Sequence, residues 1–147
     1  MTEQMIETAK VVMADTFKFY LRAHNYHWNV EGPNFPQYHE LFSNIYEEVF
    51  GAVDTIAEHI RAMGSFVPGS LSRFSELSAL NDERDQPDAM SMIYRLKQDN
   101  DIIINNIIHA YVEAEAAGNH GWSNFLAERQ AAHNKHGWML KAILAGR

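Results

Sequence analysis

Apolar residues recur at every third or fourth position along most of the chain, which is the spacing of one buried face of an α-helix. Four segments show this pattern, at about residues 6–27, 38–63, 90–111 and 122–143. Residues 65–86 lack it, apart from a short amphipathic run that contains Leu71, Phe74 and Leu77. We therefore predict an all-α fold, a four-helix bundle in which a long crossover containing a short helix joins helices 2 and 3.

Residues with strong turn or capping preferences separate these segments. The run Glu31–Asn34 contains adjacent Gly and Pro and predicts a short turn between the first two helices. Gly64 is a candidate C-cap of the second helix, and Ser70 is a candidate N-cap of the short one. Pro87 suits the first turn of the third helix, which should stop before Gly118. Helices 1 and 2 should consequently be antiparallel neighbours.

Two histidines flank the first turn, and two carboxylates follow on the second helix. His27 precedes the turn and His39 follows it, so antiparallel helices would place the two imidazoles at about the same level. Asp54 and Glu58 are four residues apart and share one helix face. They lie roughly 22 to 28 Å along the helix axis from His39. A metal–ligand bond spans only about 2 Å, so one chain cannot bring all four groups to one ion.

A two-fold axis removes this obstacle. If two copies of the second helix cross antiparallel near Glu47 or Glu48, His39 of one copy meets Asp54 and Glu58 of the other. Such an interface is self-complementary, so each dimer would hold two sites, each with two imidazoles and two carboxylates. The spacing therefore predicts a metal site shared between subunits. Mixed nitrogen and oxygen ligands suit iron, manganese or zinc, and the spacing does not choose among them.

Composition narrows the class of protein. The length of 147 residues predicts one domain, residues 1–147, with a substantial core. The N-terminus lacks the features of a signal peptide and no stretch approaches a membrane span, so we expect no membrane association and a cytoplasmic location. The net charge is −7 and the twelve Lys and Arg residues are scattered, which argues against strong DNA binding.

None of the twelve glutamates begins a Glu-x-x-His motif, so a di-iron site inside the bundle is not expected.

The motifs around these candidate ligands resemble those of the Dps family of mini-ferritins. The resemblance covers nearly the whole chain. It is most specific in His24-Asn25-Tyr26-His27-Trp28-Asn29-Val30-Glu31-Gly32-Pro33-Asn34-Phe35 and in Asp54-Thr55-Ile56-Ala57-Glu58. Further matches are His39-Glu40-Leu41-Phe42, Tyr46, Leu71-Ser72-Arg73-Phe74 and Lys135-His136-Gly137-Trp138-Met139-Leu140-Lys141-Ala142.

The resemblance implies a ferritin-like four-helix bundle that assembles into a hollow homo-oligomeric shell of twelve subunits. It also implies a ferroxidase that oxidises ferrous iron, usually with hydrogen peroxide, and stores ferric iron, which protects the cell against oxidative stress. The ligands implied are His27 and His39 of one subunit with Asp54 and Glu58 of its two-fold partner. Iron is the only cofactor implied, and no organic cofactor is expected.

Three departures from the family pattern bear on function. Ser43 stands where many members have an aspartate that holds a second, weaker metal ion. Asn119 and Asn124 lie where the family often has aspartates lining a three-fold pore, so the usual electrostatic attraction of cations is weakened or placed elsewhere. The Lys-rich N-terminal tail of DNA-binding members is also missing.

Several candidates have a structural alternative. We expect His24 to be a hydrogen-bonded structural group and Trp28 to serve packing rather than electron transfer. His133 and His136 form an H-x-x-H pair that could bind zinc, but their position on an apolar stripe favours burial. We expect Glu47 and Glu48 to be solvated or interface charges.

Three hypotheses follow, in decreasing order of support. The first is an iron-oxidising and iron-storing shell. The second is a metal-sequestering shell with weak or no ferroxidase activity, which the serine at position 43 keeps open. The third is a DNA-compacting nucleoid protein, which would need a basic surface that this sequence lacks.

Overall fold

The computed structural model describes residues 2–146, which form five α-helices and no β-strand. The helices are α1 (Thr2–Asn29), α2 (Phe35–Ala62), α3 (Leu71–Leu77), α4 (Ala89–Ala116) and α5 (His120–Leu144). The predicted all-α bundle, with a short helix in the crossover between its second and third long helices, is therefore confirmed. No helix in residues 2–146 is long and apolar enough to cross a membrane.

The four long helices pack in two pairs around one core. α1 lies along α2, α4 lies along α5, and α1 also packs on α4. Fully buried side chains from all four long helices fill the interior, and the largest are Trp122, Tyr26, Phe19, Phe42, Ile45 and Ile56. Burying one large apolar side chain contributes about 1.5–3 kcal/mol, so this shared core is the main force that holds α1 and α2 in fixed register.

The short helix α3 and the segment after it are tied to α1. The rings of Phe74 and Phe17 stack with centroids 4.8 Å apart. The buried carboxylate of Asp15 accepts hydrogen bonds from the hydroxyl of Ser78 and the side chain of Asn106, both at 2.7 Å. Burial raises the pKa of Asp15, although these hydrogen bonds act in the opposite direction. The crossover is thus held to the bundle both by an aromatic contact and by hydrogen bonds to a buried carboxylate.

Capping residues set the helix boundaries. Gly64 follows the end of α2 with φ +95°, and the Ser70 hydroxyl accepts from the backbone N–H of Arg73, so both predicted caps are confirmed. The placement of Pro87 in the first turn of α4 is wrong. The helix begins two residues later because the Asp88 side chain caps it by accepting from the N–H of Ser91.

Candidate metal centre

The centre of the candidate site is a pair of imidazoles at one end of the bundle. His27 lies in the last turn of α1 and His39 in the second turn of α2. Their rings stack with centroids 3.7 Å apart and planes inclined by 15°. Both residues are partly exposed. The predicted level pairing of these two histidines across the first turn is therefore what the structure shows.

Each histidine of the pair is oriented by the backbone of the other. His27 Nδ1 lies 2.7 Å from the main-chain oxygen of His39, and His39 Nδ1 lies 2.7 Å from the main-chain oxygen of His27. A carbonyl oxygen only accepts hydrogen bonds, so each Nδ1 must carry the hydrogen. In the neutral imidazole, Nε2 then keeps its lone pair, and this tautomer is the one that metal-binding histidines adopt. Both rings are thus prepared to bind a metal through Nε2.

Aromatic rings surround this pair on both helices. The ring of Phe35 lies 4.9 Å from that of His39, and Tyr46 meets His27 edge to face at 5.3 Å. His24 stacks on Tyr46 with centroids 3.9 Å apart. These contacts limit the motion of the two imidazoles and leave few alternative rotamers for them.

The expected structural character of His24 agrees with its contacts. Its Nδ1 lies 3.0 Å from the hydroxyl of Tyr20, and its ring centroid lies 4.0 Å from that of Trp28. Burial and the neighbouring His27 lower the pKa of His24. Trp28 packs on His24 with one face, while 58% of its surface remains exposed.

The two carboxylates lie elsewhere on the same subunit. Asp54 and Glu58 are exposed on α2, and neither forms a hydrogen bond or an ion pair with other residues between 2 and 146. Within those residues, no three His, Asp or Glu side chains form a group that could hold a metal ion. The structure therefore brings His27 and His39 together and leaves the carboxylates apart from them. One subunit contains two separated half-sets of candidate ligands.

Ser43 lies one turn beyond His39 on α2 and offers no carboxylate. Its hydroxyl donates a hydrogen bond to the main-chain oxygen of Glu40 at 3.0 Å, which is a common local contact of helical serines. Glu40 itself is exposed, as is Glu47 one turn after Ser43. Ser43 thus presents a neutral hydroxyl that is engaged with its own helix.

A second polar cluster joins α2, α4 and α5, and it runs from the buried His133 outward to the exposed Glu48. Arg129 makes two hydrogen bonds to the carboxylate of Glu48, which also accepts from His136 Nε2 at 2.8 Å. Burial opposes ionisation of Glu48, but the hydrogen bonds from His136 and Arg129 outweigh it and hold its pKa well below the usual range. Glu48 is therefore paired within its own subunit, while 39% of its side chain stays exposed, as the expectation of a solvated charge requires.

His133 completes this cluster. Its Nδ1 donates to Asn100 Oδ1 at 2.8 Å, and its Nε2 lies 3.3 Å from Arg129 Nη2, which can only donate. Burial and the charges of Arg129 and His136 lower the pKa of His133 well below its ordinary value. The predicted burial of His133 and His136 is confirmed. Because both nitrogens of His133 are already engaged, the H-x-x-H pair does not present two free lone pairs for zinc.

A signal for this cluster is present in the sequence, although the prediction of functional residues did not include Asn100 or Arg129. Asn100 lies on the apolar stripe of α4, four residues after Leu96 and three before Ile103. A polar residue at such a position predicts a buried hydrogen-bond partner. Arg129 precedes His133 by four residues and therefore shares its helix face.

The turn between α4 and α5 uses its polar residues for local structure. The side chain of Asn119 accepts a hydrogen bond from the N–H of Trp122 and thereby caps α5. His120 Nδ1 lies 2.9 Å from the carboxylate of Glu115, which also accepts from the hydroxyl of Ser123. Asn124 is exposed. Asn119 therefore has a capping role that asparagine performs as well as aspartate would.

Comparisons with known proteins agree with this architecture. The sequence profile of the ferritin-like domain family matches residues 10–146. The chain is 30% identical to the DNA protection during starvation protein of Brevibacillus brevis, over 90% of this chain and 89% of that protein. It is 31% identical to an uncharacterized low temperature-induced protein of a Nostoc species, over 91% of this chain and 76% of that one.

A solved structure gives the same result at the level of the fold. The crystal structure of a Dps protein from Bacillus brevis superimposes with a TM-score of 0.93, covering 97% of this chain and 96% of that one at 28% identity. The predicted ferritin-like bundle is thereby confirmed.

Proposed function

The chain belongs to the ferritin-like domain family, as one of its Dps members, and we propose that it is an iron-oxidising mini-ferritin. Its substrates are ferrous iron and hydrogen peroxide, and its product is ferric iron held in a hollow shell of twelve copies in the cytoplasm. Each copy contributes one ferritin-like domain, residues 1–147, of which Met1 and Arg147 lie outside the described residues. The observation that carries the proposal is the imidazole pair His27 and His39, fixed with both Nε2 atoms free to bind metal.

The reaction needs a site that holds two ferrous ions near one oxidant. Each ferrous ion gives up one electron, the O–O bond of peroxide breaks, and two protons complete two molecules of water. Because one peroxide accepts both electrons, one from each ferrous ion, no hydroxyl radical is released. Nitrogen and carboxylate oxygen ligands suit iron, and the carboxylates also favour the ferric product because they are anionic. The histidines and the carboxylates are therefore both required.

The bounds of α2 support one register for the proposed two-fold pair, in which the axis passes the middle of the helix. The midpoint of α2 (Phe35–Ala62) falls between Glu48 and Val49. His39 and Glu58 are equally far from this midpoint, so an antiparallel pair of full-length α2 helices places them level across the axis. Ser43 and Asp54 are also equidistant from it. The ligands thus match in pairs when the two helices are aligned end to end, which supports a site built by His27 and His39 of one subunit with Asp54 and Glu58 of the other.

The same register explains why the metal-sequestering alternative stays open. The residue level with the partner's Asp54 is Ser43, whose hydroxyl is turned to its own helix backbone. A site with four ligands, and only a neutral hydroxyl at the fifth position, holds one iron ion more firmly than a second. Binding without rapid oxidation would then be the activity of the shell. The acidic net charge of −7 supports neither hypothesis over the other, but it weighs against strong DNA binding.

Complementation between two inactive variants tests the shared site. A subunit with His39→Ala keeps its carboxylates, and a subunit with Glu58→Ala keeps its imidazoles. When the two are coexpressed, each mixed pair contains one site with both lesions and one intact site. Random pairing should therefore restore about a quarter of the wild-type sites, although each variant alone is inactive. No restoration in a mixed assembly would place all ligands within one chain and overturn the proposal.

Stopped-flow absorbance then separates the two metal-binding hypotheses. Anaerobic apoprotein is loaded with a small excess of ferrous iron, and peroxide or air is added in parallel. Fast ferric formation with peroxide, slower formation with air, and loss of both in Glu58→Ala are the expected results. Rates equal to protein-free buffer, together with retained iron binding, would instead establish the sequestering shell.

A further inference from the structure

The side chain of Phe66 is unusually exposed for its size, yet it has a fixed position. Phe66 lies four residues beyond the end of α2 and is 82% exposed. The guanidinium carbon of Arg61 lies 4.7 Å from the centroid of its ring, and Arg61 Nη1 donates to the main-chain oxygen of Ser65 at 3.0 Å. The cation and the ring therefore form one preformed unit at the C-terminal end of α2.

Arg61 shares the helix face of the two candidate carboxylates. It follows Glu58 by three residues and Asp54 by seven, and this spacing keeps all three on one stripe of α2. All three residues are exposed. A partner subunit that contacts Asp54 and Glu58 along this stripe is consequently also close to Arg61 and the ring of Phe66.

The register of the proposed two-fold pair identifies the surface that faces this unit. Ala62, the last residue of α2, is as far from its midpoint as Phe35, the first, and Arg61 is as far from it as Pro36. The end of one α2 is therefore level with the α1–α2 turn of its partner. That turn offers an exposed carboxylate at Glu31 and a ring at Phe35, which is 39% exposed and packs on His39.

We propose that Arg61 and Phe66 of one subunit dock on Glu31 and Phe35 of its two-fold partner and so close the outer end of the His27–His39 pair. The cation of Arg61 contacts the carboxylate of Glu31, and the ring of Phe66 contacts the ring of Phe35. Both contacts occur twice because of the two-fold symmetry. The occupant of this surface is a second copy of the chain. The inference rests on the proposed two-fold arrangement and goes beyond it by naming a contact that contains none of the four ligands.

Cysteine pairing tests this contact directly, because the chain has no cysteine of its own. In the double variant Phe35→Cys/Phe66→Cys, the two thiols of one subunit stand at opposite ends of α2, roughly 40 Å apart, and cannot be joined. A short bismaleimide should therefore give a covalent dimer on a denaturing gel. The matched control is Trp138→Cys/Phe66→Cys, since Trp138 is 66% exposed but lies on α5. Dimer formation no greater than in this control would overturn the proposal.

A charge exchange provides a second test. Arg61→Glu should place two acidic groups opposite each other and weaken pairing of subunits, as measured by sedimentation at moderate salt. The double variant Glu31→Arg/Arg61→Glu should restore pairing, whereas a role of Arg61 confined to its own subunit predicts no such rescue. Failure of both tests while His39→Ala and Glu58→Ala still complement each other would reject this contact and leave the proposed function intact. If the cysteine and charge tests succeed but the two variants do not complement each other, the contact is retained and the proposed shared metal site is rejected.

Discussion

His27 and His39 each hydrogen-bond through Nδ1 to the main-chain oxygen of the other, at 2.7 Å in both directions. The acceptor in each case belongs to the backbone, so it persists when the side chain that carries it is shortened. Either imidazole can therefore be removed without releasing the other from its orientation. This property makes single substitutions at the candidate site unusually informative.

The first prediction concerns His39→Ala. The substitution removes one candidate ligand but leaves the Nδ1 hydrogen bond of His27 in place. Peroxide-dependent oxidation of ferrous iron should therefore fall at least about tenfold, because loss of a residue that only hydrogen-bonds to a metal ligand already costs about that much. Assembly, measured by size-exclusion chromatography, should not change. His109→Ala, which removes an exposed histidine of α4, is the matched control and should keep full activity. Disassembly of the His39→Ala protein would show a structural role instead.

The second prediction concerns Ser43→Asp. Because Ser43 is level with the partner's Asp54 in the proposed register, the new carboxylate should add an anionic ligand for a second iron ion. Anaerobic titration should show more ferrous iron bound per subunit than in the wild type, and oxidation by peroxide should be faster. Ser43→Asn has nearly the same size without the charge and should show neither gain. Equal stoichiometry in all three proteins would contradict the prediction.

The third prediction concerns the close contact between α4 and α5. A Cβ at Gly137 would lie 2.8 Å from Nδ2 of Asn100, whose two hydrogen bonds to His133 keep it from moving away. Gly137→Ala should therefore lower the free energy of unfolding by about 1–3 kcal/mol, as overpacking of a core does. In the control Gly121→Ala, the added methyl makes only an ordinary contact at 3.8 Å. A melting temperature equal to that of wild type in both variants would show that Asn100 can adjust.

The fourth prediction concerns acid stability. Burial and the charges of Arg129 and His136 lower the pKa of His133 in the folded chain, while the nearby carboxylate of Glu48 acts in the opposite direction. The unfolded chain therefore binds this proton more tightly, and protonation favours unfolding. The contribution of His133 to stability should be complete above about pH 6.5 and should be lost progressively as the pH falls below that value.

Urea unfolding at a series of pH values and one protein concentration measures this slope. His133→Leu should be less stable at neutral pH, because Asn100 and Arg129 each lose one hydrogen bond to the imidazole, but its stability should depend less on pH in this range. His109→Leu, at an exposed position, should retain the wild-type slope. An unchanged slope in His133→Leu would assign the acid sensitivity to other groups.

The helical architecture was predictable from sequence because apolar periodicity reports the buried face of each helix directly. The caps at Gly64 and Ser70 were predictable for a local reason, since the backbone conformation there depends on the residue itself. The start of α4 was missed because two neighbouring residues, Pro87 and Asp88, both suit a helix N-terminus. The hydrogen bond of Asp88 to Ser91 decides between them, and propensity alone does not rank such alternatives.

The candidate site was also predictable from the sequence only in part. The pairing of His27 with His39 follows from a short turn between antiparallel helices, which is a local property of the sequence. Their orientation does not follow from it, because it depends on main-chain oxygens of the opposite helix that no spacing rule reveals. The cluster around Arg129 was also missed, since it joins Glu48 and Arg129 across 81 positions of the sequence. The ligand role of the four residues stays a prediction.

The separation of the half-sets within one chain has a kinetic consequence. Within residues 2–146 of a single subunit, no three His, Asp or Glu side chains form a metal-binding group, so neither half-set is a complete site. In the proposed arrangement, specific activity must therefore fall on dilution below the dissociation constant of the two-fold pair, by mass action. In that arrangement a newly synthesised monomer would lack a complete oxidation site. Oxidation would begin only after pairing, so that ferric product would form where a growing shell can enclose it.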